Sequence, residues 1–456
     1  MNVHLIAIGG SIMHNLALAL QAQGHQVSGS DDLIHEPSLG RLQEAGLLPP
    51  AYGWFPERIT TELDVVLVGM HAHADNPELR RAKALGLSIL SFPEFMLAQA
   101  RHKQRIVVAG SHGKTTITSM LMHALKHVGY SFDYMVGGTV PGFERTVSFT
   151  ADAPIMLLEG DEYPTSPLDP RPKFLHYEPH VLLLTGIAWD HINAFPSEGV
   201  YLEQFRKLLL SLPKAAMCVY NKSDKRVREL VKTTLDESIH YLVPYQTPKH
   251  RFRDGVMEVK FEKKYAPVSV YGEHMAANLM ACHELLKTFA LPEERISEAL
   301  AGFAGAGLRM EHVHEDQRTI VIRDYAHAPS KVAATVRAVQ QRYPTKNLVI
   351  GLELNTYSSL NEAYLPHYKN VLHNAKHVVL FINRETLKSK RLKRISEKFL
   401  RQAFNEPSLR LAEDREALVH LLRERRTGAD VYLLMSSGSF DHLEVAELVA
   451  DQPVGA

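Results

Sequence analysis

Cysteine is almost absent, with only Cys218 and Cys282 in 456 residues. Two isolated thiols give neither a disulfide framework nor a zinc cluster, and they fit a reducing compartment. Net charge is absent as well: 51 Lys plus Arg balance 51 Asp plus Glu. That balance excludes a polybasic nucleic-acid coat, so any anionic ligand must be held by locally aimed groups. No apolar run approaches the ~20 residues that a membrane span needs. The chain opens on the apolar run His4-Leu5-Ile6-Ala7-Ile8, without a charged leader. The expectation is a soluble cytoplasmic protein with no membrane span and no nucleic-acid partner. The 25 histidines prove nothing without spacing.

What is present is a composition with 45% hydrophobic and 22% charged residues, enough for sizeable cores. Length divided by ~150 suggests about three domains. Short apolar runs alternate with helical stripes, the signature of βα units and parallel sheets. In a first block the runs are Leu5 to Ile8, Val65 to Val68 and Leu87 to Leu90. A second block begins at Ile106 and continues through Ile155 to Leu158, Val181 to Leu184 and Met217 to Tyr220. The charged stretch Arg101-His102-Lys103-Gln104-Arg105 between them reads as a linker. Glycines 302, 305 and 307 mark another shift, after which runs at Ile320, Leu348, Val378 and Val431 restart the pattern. The expectation is three consecutive α/β domains: 1–103 and 304–456 Rossmann-like, 104–303 a central phosphate-loop domain. The segment Arg384 to Arg401, with eight cations and two acids, reads as a solvated helix face or, alternatively, a binding patch.

The most informative stretch is Gly110-Ser111-His112-Gly113-Lys114-Thr115-Thr116. It follows a strand and opens a helix, the context in which backbone amides and a helix N-terminus cradle phosphate. Val108 stands where the common spacing has glycine, so the loop is a variant. Lys114 would neutralise the terminal phosphates of ATP, and the Thr115 hydroxyl would ligate Mg²⁺. As a loop lysine, Lys114 is expected to contribute little to stability. Two more strands run into Glu159-Gly160-Asp161-Glu162 and into Asp190-His191. Ligands bind at the carboxyl ends of parallel strands, so Glu159 and His191 are candidate metal ligands beside Thr115. The amino-terminal loop Gly9-Gly10-Ser11-Ile12 opens a helix too, with Asp31 roughly twenty residues on, where such folds hold a ribose. An ordinary βα turn is the alternative for these residues, because Ala7 and Ile12 occupy places where glycine is expected.

In order along the chain, the phosphate loop, Glu159 to Glu162, Asp190-His191, Gly272-Glu273-His274 with Asn278, Arg309-Met310-Glu311 and Asp324 to Pro329 resemble the Mur ligases. The resemblance spans essentially the whole chain. It implies a UDP-muramate-binding domain, an ATP- and Mg²⁺-binding domain and a third domain that completes the site and receives the amine. Position by position, it assigns Lys114 to phosphate and Thr115, Glu159 and His191 to Mg²⁺. Asn278, Arg309 and Asp324 then belong with the nucleotide, and Lys114, Glu159, His191, Arg309 and Asp324 form the catalytic set. Glu162-Tyr163, Lys173 to Tyr177 and Pro179 look like the murein peptide ligase branch, which joins L-alanyl-γ-D-glutamyl-meso-diaminopimelate to UDP-N-acetylmuramate. A muramate–alanine ligase, a phosphate-loop kinase or hydrolase, and a silent nucleotide-binding protein are the alternatives. Met275 and Gly186 stand where the family has asparagine, and His14-Asn15 replace a glycine pair. Arg206 lies where some branches carry a carbamylated lysine, which implies that no carbamate forms. His327 is a candidate general base. Oligomeric state is not legible.

Overall fold

A computed structural model describes residues 1–70, 72–166, 168–424 and 429–449. The apolar runs supply interior strands of three sheets, except Leu87 to Leu90, which leads into an edge strand. The first is a parallel sheet ordered Gln26–Ser30, Asn2–Ile6, Val65–Val68, Ile89–Ser91. Val65–Val68 is buried throughout, as a strand covered on both faces must be. At the end of Asn2–Ile6 the chain turns through Ala7, whose φ of 66° is a conformation that glycine adopts without cost. The departure noted in the sequence is therefore met by local backbone strain.

The second sheet has seven strands in the order Tyr241–Tyr245, Met217–Asn221, Val181–Leu184, Gln104–Ala109, Ile155–Gly160, Phe132–Met135, Val147–Ser148. All neighbours pair in parallel except the last two. The three strands at its centre carry the phosphate loop, Glu159 and Thr185 at their carboxyl ends. A third sheet runs Glu311–Glu315, Thr319–Asp324, Asp430–Met435, Asn347–Glu353, His377–Phe381, Arg410–Ala412. Its core joins Val321, Val349, Val379, Phe381 and Tyr432 to Leu418 and Leu422 of the helix Arg415–Arg423. Its first strand is antiparallel and the others are parallel. An antiparallel meander, His250–Arg253, Val256–Phe261 and Lys264–Val268, completes the strands that bear on the layout.

By internal contacts the chain gathers into two compact units. One comprises Met1–Ile187, Glu198–Gln246 and Asn278–Leu300; the other comprises Ala188–Ser197, Thr247–Ala277 and Ala301–Ala456. The first unit holds both the amino-terminal and the central sheet, and two cations of the charged stretch between them, Lys103 and Arg105, are tied into the interior. Lys103 is buried, donating to Asp133 Oδ2 at 2.7 Å and to the carbonyls of Thr150 and Ala153. Arg105, also buried, donates to the carbonyls of Ala100, Tyr177 and Glu178. Charges whose partners lie this close anchor the junction in the interior. A second tie is Arg41, which donates to Asn15 Oδ1 at 2.9 Å and to the Glu144 carbonyl at 2.9 Å.

Among the described residues, four of the eight cations between Arg384 and Arg401 have carboxylate partners. Lys388 meets Glu385, Arg401 meets Glu397, and Arg384 and Arg394 share Glu413. The stretch is not one helix face: it spans two short helices, Arg384–Ser389 and Glu397–Phe404, with Arg394 in the segment between them.

Candidate active site

The strand Gln104–Ala109 delivers the chain into Gly110, and the helix Lys114–His127 begins after Gly113, whose φ is 73°. Thr185, at the end of the neighbouring strand, donates its hydroxyl to the His112 carbonyl at 2.6 Å. Ser111 N donates to the Gly186 carbonyl at 2.8 Å. The loop is thus moored to the adjacent strand end. Asn278 lies against Gly113: a Cβ there would sit 2.7 Å from its Oδ1.

Three carboxylates follow from one strand end, and each has a distinct partner. Glu159, buried, accepts from the Thr115 hydroxyl at 2.8 Å and from Gly137 N at 2.7 Å. Asp161 pairs with Lys173 at 2.6 Å. Glu162, fully buried, pairs with Lys114 at 2.5 Å and accepts from the Tyr201 hydroxyl, which also bonds Ser111 Oγ. Burial opposes the charge on Lys114, but Glu162, Asp161 and Glu159 outweigh it and raise its pKa. The ammonium therefore stays charged, as a phosphate ligand must.

Thr115 and Glu159 are hard oxygen donors side by side, the set Mg²⁺ prefers. Among the described residues no three His, Cys, Asp or Glu side chains form a ready-made metal cage. An oxygen pair that leaves its remaining positions to water and phosphate suits Mg²⁺, which retains several waters. His191, the third expected ligand, has a φ of 56° and belongs to the second compact unit. There Asp190 accepts from its amide at 2.7 Å. Burial works against the Asp190 carboxylate, yet Lys331, His191 and His327 hold its pKa well below the usual range.

Asp324 organises the second unit's loop. It accepts from Met310 N and Ala326 N at 2.8 Å each and from the Thr335 hydroxyl at 3.1 Å. Arg309 lies over the Tyr325 ring at 4.5 Å, so the two expected residues belong to one local arrangement. In the amino-terminal loop, Asp31 accepts from Gly9 N at 2.7 Å, which brings together the loop and the acid that sequence had paired. Gly10 precedes the helix Ser11–Ala22, whose first residues are Ser11 and Ile12. Arg206 is half exposed and pairs with Glu203.

Three matches with known proteins now bear on this arrangement. The Mur ligase family catalytic domain matches residues 2–104, the Mur ligase middle domain 108–286, and the Mur ligase glutamate ligase domain 308–438. A UDP-N-acetylmuramate–L-alanine ligase of Agathobacter rectalis is 30% identical over 391 residues, covering 83% of this chain and 82% of the relative. The chain belongs to the Mur ligase family. Its fold is shared by a murein peptide ligase from Psychrobacter arcticus (TM-score 0.69, 20% identity, all of both chains covered). It is shared too by the UDP-N-acetylmuramate–alanine ligase of Thermotoga maritima (TM-score 0.72, 21% identity, 97% of both chains). As a Mur ligase, the protein is an ATP-dependent amide-bond-forming enzyme with the family's three-domain layout.

Its departures from the family motifs have visible neighbours. A Cβ at Gly186 would lie 3.2 Å from Asp224 Oδ2, a tight approach that asks the carboxylate to give slightly. Met275 is buried near the start of the helix Glu273–Lys287. His14 bonds the Gly10 carbonyl and Ser38, and Asn15 takes Arg41, so this pair fills the space beneath the first loop. Sequence reasoning assigned no individual role to Glu162, Tyr201, Thr185 or Lys331. Glu162, within the quoted motif after a strand, and Thr185, at the end of an apolar run, carried a local signal; Tyr201 and Lys331 carried none.

His327 is a weak base. It is buried, and burial together with Lys331 pushes its pKa down to about 4. An unfolded chain takes that proton near 6.5, so between those values the unfolded state binds more protons. The stability contribution of neutral His327 is thus lost as pH falls from about 6.5 towards 4. Urea midpoints across that window should fall more steeply for the wild type than for His327→Asn. Parallel curves would show that His327 titrates normally.

Proposed function

We propose that this Mur ligase joins the tripeptide L-alanyl-γ-D-glutamyl-meso-diaminopimelate to UDP-N-acetylmuramate, a reattachment step of peptidoglycan recycling. Residues 1–103 bind UDP-muramate through Gly9, Gly10, Ser11, Ile12 and Asp31. Residues 104–303 bind ATP through the loop Gly110 to Thr116 and Asn278. Residues 304–456 supply Arg309 and Asp324 to the nucleotide and receive the peptide. Thr115, Glu159 and His191 would hold Mg²⁺, which when bound neutralises phosphate charge.

A carboxylate oxygen of the muramoyl group attacks the γ-phosphorus. The bond from that phosphorus to the bridging oxygen breaks, and ADP leaves with the electron pair. Lys114 stabilises the charge on the transferring phosphoryl group, where positioned cations are most effective. The peptide amine then attacks the acyl carbon, and the tetrahedral intermediate loses a proton and expels phosphate to give the amide.

The observation that supports the peptide acceptor is the segment Lys173 to Tyr177, which resembles the peptide ligase branch. It is built into the site: Lys173 N donates to the Tyr163 carbonyl and Phe174 N to that of Asp161, both at 3.1 Å. A second reading, L-alanine as acceptor, is favoured by the identity to the Agathobacter enzyme. Side-by-side assays of ADP release with UDP-N-acetylmuramate separate them. The tripeptide should drive turnover far better than free L-alanine, and equal or better turnover with alanine would move the protein to the second reading.

A further inference from the structure

Forming an acyl phosphate brings a carboxylate against a phosphoryl group, two anions that repel unless cations stand beside both. The strand Ile155–Gly160 runs into two successive carboxylates, and each holds its own lysine. Glu162 holds Lys114 at 2.5 Å and Asp161 holds Lys173 at 2.6 Å. Asp161 lies within electrostatic reach of both ammonium groups, so the two pairs form one cluster. Neither lysine is sealed off: 13% of the Lys114 side chain and 15% of the Lys173 side chain remain exposed.

Lys173 is also placed towards the muramate side. It opens the turn Lys173–His176, directly after the hairpin Pro164–Ser166 and Asp169–Pro172. That turn packs on the helix Phe92–Gln99 of the amino-terminal domain, and Arg171 and His176 feel its Glu94. The element that carries Lys173 therefore joins the domain expected to hold UDP-muramate to the strand end beside the phosphate loop.

We propose that Lys173 is a second catalytic cation, which holds the muramoyl carboxylate while Lys114 holds the γ-phosphoryl group. An ammonium has three donors, so one stays on Asp161 while another takes the substrate oxygen. Lys173 serves the step in which the carboxylate oxygen bonds to phosphorus and ADP departs with the bridging oxygen's electron pair. No proton moves in that step. The proposal rests on the ligase reading above, and it holds for either amine acceptor.

The test omits the amine: ATP, UDP-N-acetylmuramate and hydroxylamine are supplied, and hydroxamate formation reports the acyl phosphate. Lys173→Met should slow it by about 10²-fold, while affinity for a non-hydrolysable ATP analogue changes by less than about threefold. Lys173→Arg should keep the rate within about tenfold of wild type, because a cation remains. A purely structural strut predicts otherwise. The double variant Asp161→Asn/Lys173→Met leaves no orphaned carboxylate, so it would then recover the wild-type rate. Under the proposal the double variant folds normally and stays slow, which keeps the comparison sound even where Lys173→Met alone folds poorly. Recovery in the double variant, or a folded Lys173→Met within about threefold of wild type, overturns the role. Absence of hydroxamate with the wild-type enzyme overturns the ligase reading itself, a result distinct from a loss confined to Lys173 variants.

Discussion

Alanine at position 114 is expected to lower turnover by on the order of 10² to 10³, the usual loss when a preorganised charge at the reacting group is removed. The structure changes the second half of the expectation. A loop lysine seen only in sequence packs little, so stability should hardly move. Here its ammonium is the charged partner of Glu162, a carboxylate with no solvent exposure. Removing one member of a buried pair costs about 3–5 kcal/mol, because the other charge is left without compensation. The Tyr201 hydroxyl still donates to Glu162 at 3.1 Å, which places the loss towards the lower end. Urea denaturation and ADP release should be measured on Lys114→Ala and on Lys114→Ala/Glu162→Gln. Stability should recover in the double variant and turnover should not. Near-normal turnover in a folded Lys114→Ala protein would remove the phosphate loop from the mechanism.

The same pair shows what can be read from a sequence and what cannot. Apolar runs identified interior strands because a strand covered on both faces must be apolar along its length. Val181 to Leu184 and Val65 to Val68 coincide with the observed strands. The phosphate loop was legible because glycine, lysine and threonine must be contiguous to cradle phosphate. Partners distant in sequence were not. Nothing near Lys103 announces Asp133, so the burial of this junction was not legible in a charged segment that read as a linker. Nothing near Lys114 announces Tyr201. His191 was grouped with Thr115 and Glu159 by its place after a parallel strand and then by family resemblance; its membership of the compact unit that contains Asp324 was not legible. The meander from His250 to Val268 went unplaced although a signal existed. Asp254 and Gly255 both have positive φ between paired residues Arg253 and Val256, the Asp-Gly turn that suits a tight hairpin.

Gly110→Ala should be more damaging to nucleotide binding than any other glycine change in the loop's neighbourhood. The backbone there has a φ of 131°, which L side chains rarely adopt. An added Cβ would stand 2.1 Å from Thr185 Oγ1 and 3.0 Å from the Gly186 carbonyl. Thr185 cannot swing away freely, because its hydroxyl is committed to the His112 carbonyl. The Gly186 carbonyl is committed to Ser111 N. Relief therefore requires the loop to lift, and lifting breaks the bond from Lys114 Nζ to the Gly110 carbonyl, 2.8 Å in the native loop. Gly129 makes the control. Its φ is 81°, yet a Cβ there meets nothing within 4 Å, so Gly129→Ala carries only the left-handed strain of about 1–2 kcal/mol. Calorimetric titration with a non-hydrolysable ATP analogue should show binding near wild type for Gly129→Ala. For Gly110→Ala it should be weakened by on the order of 10² or more, the equivalent of about 3 kcal/mol of displaced loop. Thr185→Ala in the Gly110→Ala background removes the nearest clash but neither the carbonyl contact nor the φ requirement, so recovery should be partial. Wild-type affinity in Gly110→Ala would mean that the loop can bind phosphate in another shape, and the cradle described here would not be the one that binds.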